Sequence, residues 1–262
     1  MKSSYNFLGQ PTPHLIAHRG GNILGMAKQN TLAAFQSAAD IGYRYIETDV
    51  LLTKDNKVII YHGSRNRRQQ HKTSQYKRKT IQGMTYSQIK RTIKPGGEEV
   101  PLLSDALAAF PKMLFNIDAK TKEVVKPLAQ TIKQAKATDR VCIASFGYKR
   151  TLGVAELLGG QQRVCTSIGP GGFSAYYLHT RLRQKLLESK IDSMGVGCLQ
   201  LPHRFVSSRL IEVAHRRQKM VHAWTVNTQR TMFRMLEVGV DGIVTDEAQL
   251  LKDVVKRSKN NN

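Results

Sequence analysis

Residues 46–62, IETDVLLTKDNKVIIYH, decide how the chain is read. Glu47 and Asp49 lie two positions apart in an apolar, β-branched run, so they share one face of a strand. Lys54, Asp55, Asn56 and Lys57 form a polar turn, and a second β-rich run, 58–62, follows at once. A parallel crossover needs a dozen or more residues, so the second run must return antiparallel, as a hairpin arm. The arm brings His62 back towards the mouth where the two carboxylates end.

Outward from this hairpin, short apolar runs alternate with helical patterns. Strands are expected at 14–19, 45–50, 113–119, 141–146, 163–168, 195–201, 220–226 and 241–246. Amphipathic stretches such as TLAAFQSAADIG, VVKPLAQTIKQAKA, SSRLIEVAHRRQ and RTMFRMLEVG lie between several of them. Strand then helix, repeated about eight times, predicts a (β/α)8 TIM barrel. An open doubly wound sheet is the alternative. The barrel domain is expected over 14–255, with 1–13 as an N-terminal extension and 256–262 as a flexible basic tail. The hairpin and a basic loop, 64–80, are inserted after the second strand.

The composition suits one large core: 262 residues, 40% of them hydrophobic. Charge is the outlier, with 41 basic against 19 acidic residues and a net +22. Such an excess attracts phosphates, whether of nucleic acid, an anionic membrane surface or a small substrate. Residues 64–80 carry seven Lys or Arg and no acid. Tyr76 is the one aromatic among them, which argues against stacking of single-stranded nucleic acid. No run approaches the ~20 apolar residues of a membrane span. Cys142, Cys165 and Cys198 are far apart in sequence, so they read as buried free thiols rather than metal ligands. A reduced, cytoplasmic protein is expected.

Working residues of a TIM barrel sit at the C-terminal ends of its strands. Those positions hold His18 and Arg19, Glu47 and Asp49, Asp118 and Lys120, and Trp224, with His62 delivered by the hairpin. Taken singly, each has an ordinary structural explanation; their convergence on one rim does not. Three carboxylates without clustered thiols or imidazoles favour a hard divalent cation, Mg2+ or Ca2+. Such a cation beside Arg19 and Lys120 suits a phosphate, and two histidines suit proton transfer near neutral pH. The chemistry is metal-assisted cleavage of a phosphate ester.

The stretch from LIAHRGGN through KQNTLAAFQSAADIGYRYIETDVLLTKDNKVIIYH resembles the glycerophosphodiester phosphodiesterase family, as do FNIDAK, HAWTVN and GVDGIVTDEAQLL. The resemblance runs from His14 to about Asp253. It implies a TIM barrel in which Glu47, Asp49 and Asp118 bind the divalent cation. His18 and His62 would be the acid–base pair, Arg19 and Lys120 would hold phosphate, and Trp224 would stand at the pocket mouth. The implied reaction splits a glycerophosphodiester, or a lysophospholipid, into an alcohol and glycerol 3-phosphate through a cyclic intermediate. Three positions depart from the family pattern: Gln29 replaces a Glu, Gly63 an Asp and Asp118 a Glu. A phospholipase C- or D-like lipid phosphodiesterase is the enzymatic alternative. A catalytically retired barrel that binds nucleic acid or anionic membrane through its basic loop is the other.

Overall fold

The structure is a computed structural model that describes residues 5–64, 76–169 and 195–260. Eight parallel strands close into a ring: β1 (His14–His18), β2 (Tyr45–Leu52), β4 (Leu114–Ala119), β5 (Val141–Ala144), β6 (Cys165–Ile168), β7 (Cys198–Pro202), β8 (Met220–Trp224) and β9 (Gly242–Thr245). Pairing of β1 with both β2 and β9 shuts the barrel. The extra strand β3 (Val58–Ile60) runs antiparallel to the end of β2, with Leu52 opposite Val58 and Val50 opposite Ile60. This is the expected hairpin arm. It lies outside the ring because β2 continues past its last parallel partner.

The four amphipathic stretches named above are helical, and side chains cap three of them. Thr31 accepts a bond from Ala34 N ahead of the helix Leu32–Asp40. Ser207 and Thr228 do the same for Ser208–Arg216 and Gln229–Glu237. Such caps satisfy a backbone donor that the first turn leaves open and contribute about 1 kcal/mol each.

The barrel interior is layered. At the N-terminal end, Ile16, Tyr45, Leu114, Cys142, Cys165, Cys198 and Met220 pack with Phe7 and Leu8. Tyr45 donates its hydroxyl to Phe7 O at 2.6 Å, and the two rings meet edge-on. Residues 5–8 are therefore the floor of the barrel, not a mere extension before it, because Phe7 and Leu8 are almost wholly buried there. His14 is stacked on Tyr45 in the same floor. Burial first, and then the neighbouring His222, hold the His14 pKa down at about 4, so its ring is neutral. Above the floor, Asn116 and Gln200 exchange two amide bonds of 3.1 Å across the barrel.

Two further expectations are corrected. The last helix, Ala248–Asn260, carries residues 256–260 on as helix instead of a flexible tail. Its Leu251, Val254 and Val255 are buried, and Arg257 and Lys259 oppose the negative end of the helix dipole. The basic segment is not one exposed loop either: Arg78–Gln82 is helical, and Ile81 enters a satellite core with Leu51, Ile59, Ile89 and Val100. Residues 65–75 of that predicted loop lie outside the described residues.

Removing the floor should be costly. Phe7→Ala is expected to lower stability by about 3–5 kcal/mol, the usual range for a buried Phe. Urea denaturation of the purified variant measures it.

Candidate active site

At the C-terminal mouth of the barrel a cavity of about 190 Å3 is lined by His18, Arg19, Glu47, Asp49, His62, Asp118, Lys120 and Trp224. All eight residues singled out in the sequence thus meet in one place. The turn after β1 is built for this. Arg19 adopts a left-handed backbone (φ 54°), a conformation that costs a non-glycine residue free energy. Its N–H donates to Glu47 O and its carbonyl accepts from Asn30 N, which fixes the strained turn against β2. Gly20 follows with φ 86°, and any Cβ there would lie 2.8 Å from Ala34. Only glycine fits, which explains the His-Arg-Gly order.

Asp49 is the centre of the charge network. It is 1% exposed; its Oδ2 accepts a hydrogen bond from Asn30 Nδ2 at 2.9 Å and forms an ion pair with Arg19 Nε at 2.8 Å. Its Oδ1 meets the Lys120 ammonium. Burial would raise its pKa, but Arg19 and Lys120 outweigh burial and hold it well below the usual carboxylate range. The Lys120 Nζ also bonds Asp118 Oδ2 at 2.5 Å, so it bridges two carboxylates. Burial disfavours the ammonium, yet Asp118 and Asp49 raise its pKa above the ordinary lysine value. Glu47 is the exception: burial and then Asp49 push it up to about 7.

Three buried carboxylate oxygens in this cavity have no hydrogen-bond partner, Glu47 Oε2, Asp49 Oδ1 and Asp118 Oδ1, and of these Asp49 Oδ1 is met by the Lys120 ammonium as an ion pair. Such atoms are expensive to bury unless something positive completes them. The donor set is all oxygen and so suits a hard divalent cation in kind; Lys120 stands between Asp49 and Asp118, and Glu47, Asp49 and Asp118 do not bring one oxygen each within 4.8 Å of one another.

The two histidines are treated differently. His18 Nδ1 lies 2.6 Å from Asp246 Oδ1, which leaves its Nε2 facing Glu47 Oε2 at 3.7 Å. Asp246 also accepts from Gln29 Nε2 and Asn227 Nδ2, both at 2.6 Å. Burial would raise Asp246, but the His18 bond and charge, then Asn227 and Gln29, bring it down to about 2. Burial lowers the His62 pKa to about 3, with Arg19 and Lys120 adding to the effect against Asp49.

Sequence reasoning missed Asp246, Asn30 and Asn227. The signal was present: Asp246 follows β9 in VTDE, and Asn30 stands in KQNT. The departures have local reasons. Gln29 donates to Asp246 where a carboxylate would need a shared proton. At Gly63 (φ 58°) a Cβ would lie 2.9 Å from both Arg78 Cγ and Leu51 Cδ1. Arg78 Nε instead donates to the Gly63 carbonyl at 3.1 Å, clamping the arm beside His62.

The chain matches the family described as the glycerophosphoryl diester phosphodiesterase family over residues 18–250. A Mycobacterium tuberculosis protein named "Probable glycerophosphodiester phosphodiesterase 2" is 33% identical over 92% of this chain and 89% of its own. A mouse protein named as a lysophospholipase D is 26% identical over 91% of this chain and 84% of its own. Among solved structures, an Oleispira antarctica phosphodiesterase in complex with the product sn-glycerol-3-phosphate superposes with a TM-score of 0.73. It is 17% identical and covers 93% of this chain and 97% of that one.

Asp246→Asn should lower kcat by about 10²–10⁴-fold with little change in KM, since it unsettles the His18 proton and not the phosphate site. Steady-state kinetics on the variant check this. His62 gives a stability signature. Its folded pKa is below its unfolded value of 6.5, so the unfolded chain binds the extra proton first. Stability is full above pH 6.5 and is lost as pH falls towards 3. In urea titrations of metal-free protein, His62→Gln should flatten that loss.

Proposed function

The chain belongs to the glycerophosphoryl diester phosphodiesterase family and is a glycerophosphodiester hydrolase; we propose that His18 and His62 are its acid and base and that Glu47, Asp49 and Asp118 hold Mg2+ or Ca2+. One observation carries this reading. Three buried carboxylate oxygens without hydrogen-bond partners and two imidazoles line the same cavity.

His62, neutral and buried, accepts the proton of the substrate's glycerol hydroxyl as that oxygen attacks phosphorus. His18, braced by ionised Asp246, gives a proton to the departing alcohol oxygen as its bond to phosphorus breaks. In the second half-reaction the roles reverse. His18 takes a proton from water, the hydroxide opens the cyclic phosphate, and His62 returns its proton to the glycerol oxygen. Arg19 and Lys120 face the phosphate with positive charge and are themselves kept in place by Asp49 and Asp118. A bound divalent cation would supply Lewis-acid neutralisation of the phosphate oxygens. Trp224, edge-on to Phe146 at 5.8 Å, forms the wall where the alcohol leaves.

A lysophospholipid is the second substrate reading, and the rim favours it. Phe146 is 50% exposed, and Leu24 and Met26 in the loop after β1 are each 45% exposed. Apolar groups at the mouth suit an acyl chain or a lipid surface, and the net charge of +22 suits an anionic one. No helix among the described residues is long and apolar enough to cross a membrane. A reduced, cytoplasmic setting agrees with the three free thiols.

With glycerophosphocholine as substrate, a chelator should abolish turnover and Mg2+ or Ca2+ should restore it. His18→Ala should lose at least about 10²-fold in kcat. Full turnover by His18→Ala, or by the chelated enzyme, would overturn the assignment. Comparing rates on glycerophosphocholine and a lysophosphatidylcholine, each with product identification, separates the two substrate readings.

A further inference from the structure

The other end of the barrel holds a second set of donors that the reaction does not use. Cys142 of β5, Cys165 of β6 and Cys198 of β7 come from three adjacent strands. Sequence spacing argued against metal ligation because no two cysteines are near neighbours. The barrel overrides that argument: adjacent parallel strands, with Cys142 in register with Cys165, bring the three Sγ atoms within 4.8 Å of one another. All three are reduced and buried. Among the described residues this is the one cluster of three or more such donors that close.

A second observation comes from the imidazoles beside it. His14 Nε2 lies 3.0 Å from Gln10 O, and a carbonyl can only accept, so His14 Nε2 carries the proton. The neutral ring then offers Nδ1 as an acceptor to His222 Nε2, 3.2 Å away. His222 must donate from Nε2, which leaves its Nδ1 a bare lone pair. That atom is fully buried and has no hydrogen-bond partner. His222 stands on β8, which pairs with β7 beside Cys198, and its nitrogens lie outside the 4.8 Å group that the three thiols form. An orphaned basic nitrogen in a dry core is costly to leave unmade. The wiring of the two rings is also that of a metal-bound histidine, whose outer N–H is held by a second acceptor.

We propose that Cys142, Cys165 and Cys198, with His222 as the fourth donor, bind a structural Zn2+ ion in the barrel floor. Three thiolates and one imidazole are a standard closed zinc set, and sulfur donors reject Mg2+ and Ca2+. Zinc–sulfur bonds of about 2.3 Å place tetrahedral sulfurs roughly 3.8 Å apart, so the three sulfurs need contract by at most about 1 Å, and the His222 ring, which starts outside their group, must draw in with them. The plug formed by Phe7 and Leu8 covers the site, so the ion enters as the chain folds and leaves only when it unfolds. The alternative is that three thiols pack as small apolar groups.

The experiment counts zinc. Full-length protein is expressed with zinc in the medium, kept reduced, and dialysed folded against EDTA. It is then unfolded in guanidinium, and the released metal is measured. About one Zn2+ per chain is expected to survive dialysis, whereas a hard cation at the catalytic mouth is stripped. Refolding the wild type with Co2+ should give a thiolate-to-cobalt charge-transfer band, which Cys165→Ser and His222→Gln should weaken or abolish. Folded wild type that holds no zinc and shows three titratable thiols on unfolding would overturn the proposal. So would a metal-free chain with only one titratable thiol, or zinc retained in full by a Cys165→Ser, Cys198→Ser double variant. The Co2+ measurement on the wild type decides the matter if the variants do not fold.

Discussion

A carboxylate with almost no access to water, Asp49, is the constraint on which this molecule turns. Left alone in such a place it would take up a proton; here it stays charged because Arg19, Lys120 and Asn30 close around it. Those three partners come from the turn after β1, from the residue after β4 and from the entry to the first helix. One ion cluster therefore ties three separate parts of the rim to β2. Breaking a buried pair by removing one partner costs about 3–5 kcal/mol, because the charge that remains is stranded. The cluster thus couples stability to the position of the two cations that line the cavity. Strain at Arg19 and Asn30, both with positive φ, is tolerated because the same bonds over-determine it.

The proposed proton chemistry rests on an asymmetry around that cluster. His18 has a committed carboxylate behind it, and that carboxylate is itself held by two amides. His62 is tucked into the hairpin arm, where burial and two fixed cations keep it neutral. Two chemically identical side chains thereby stand in unlike surroundings. A fold gains acid and base from one residue type by this means, since environment and not identity sets the protonation state.

Much of this was legible in the sequence because it depends on strand periodicity. Glu47 and Asp49 had to share a face, and a turn of four residues could only reverse the chain. The same logic found the rim positions of β1, β2, β4 and β8. Asp246 escaped because a single acid after a strand looks like any helix cap, and its value lies in a bond to a residue 228 positions away. Gln29 was visible as a substitution, but its partner was not. The thiols are the sharpest case. Their spacing along the chain argued against any joint role, whereas strand order set them side by side. The tail and the basic segment were misread for a simpler reason. Charge composition describes what a surface shows, and in both stretches a few apolar residues, such as Val255 and Ile81, set the conformation.

The ring closes by joining β1 to β9, and Ile16 pairs with Val244 at that seam. During synthesis the first strand must wait for almost the whole chain before its outer edge is covered. Until then it offers an unpaired ladder to any neighbouring chain, a known route to clumping. The same long wait applies to the Phe7 plug, which has no completed floor to enter. A nascent chain with a surplus of 22 positive charges repels its copies throughout that interval. On this view the basic surface protects the unfinished barrel, quite apart from anything it does for the finished one.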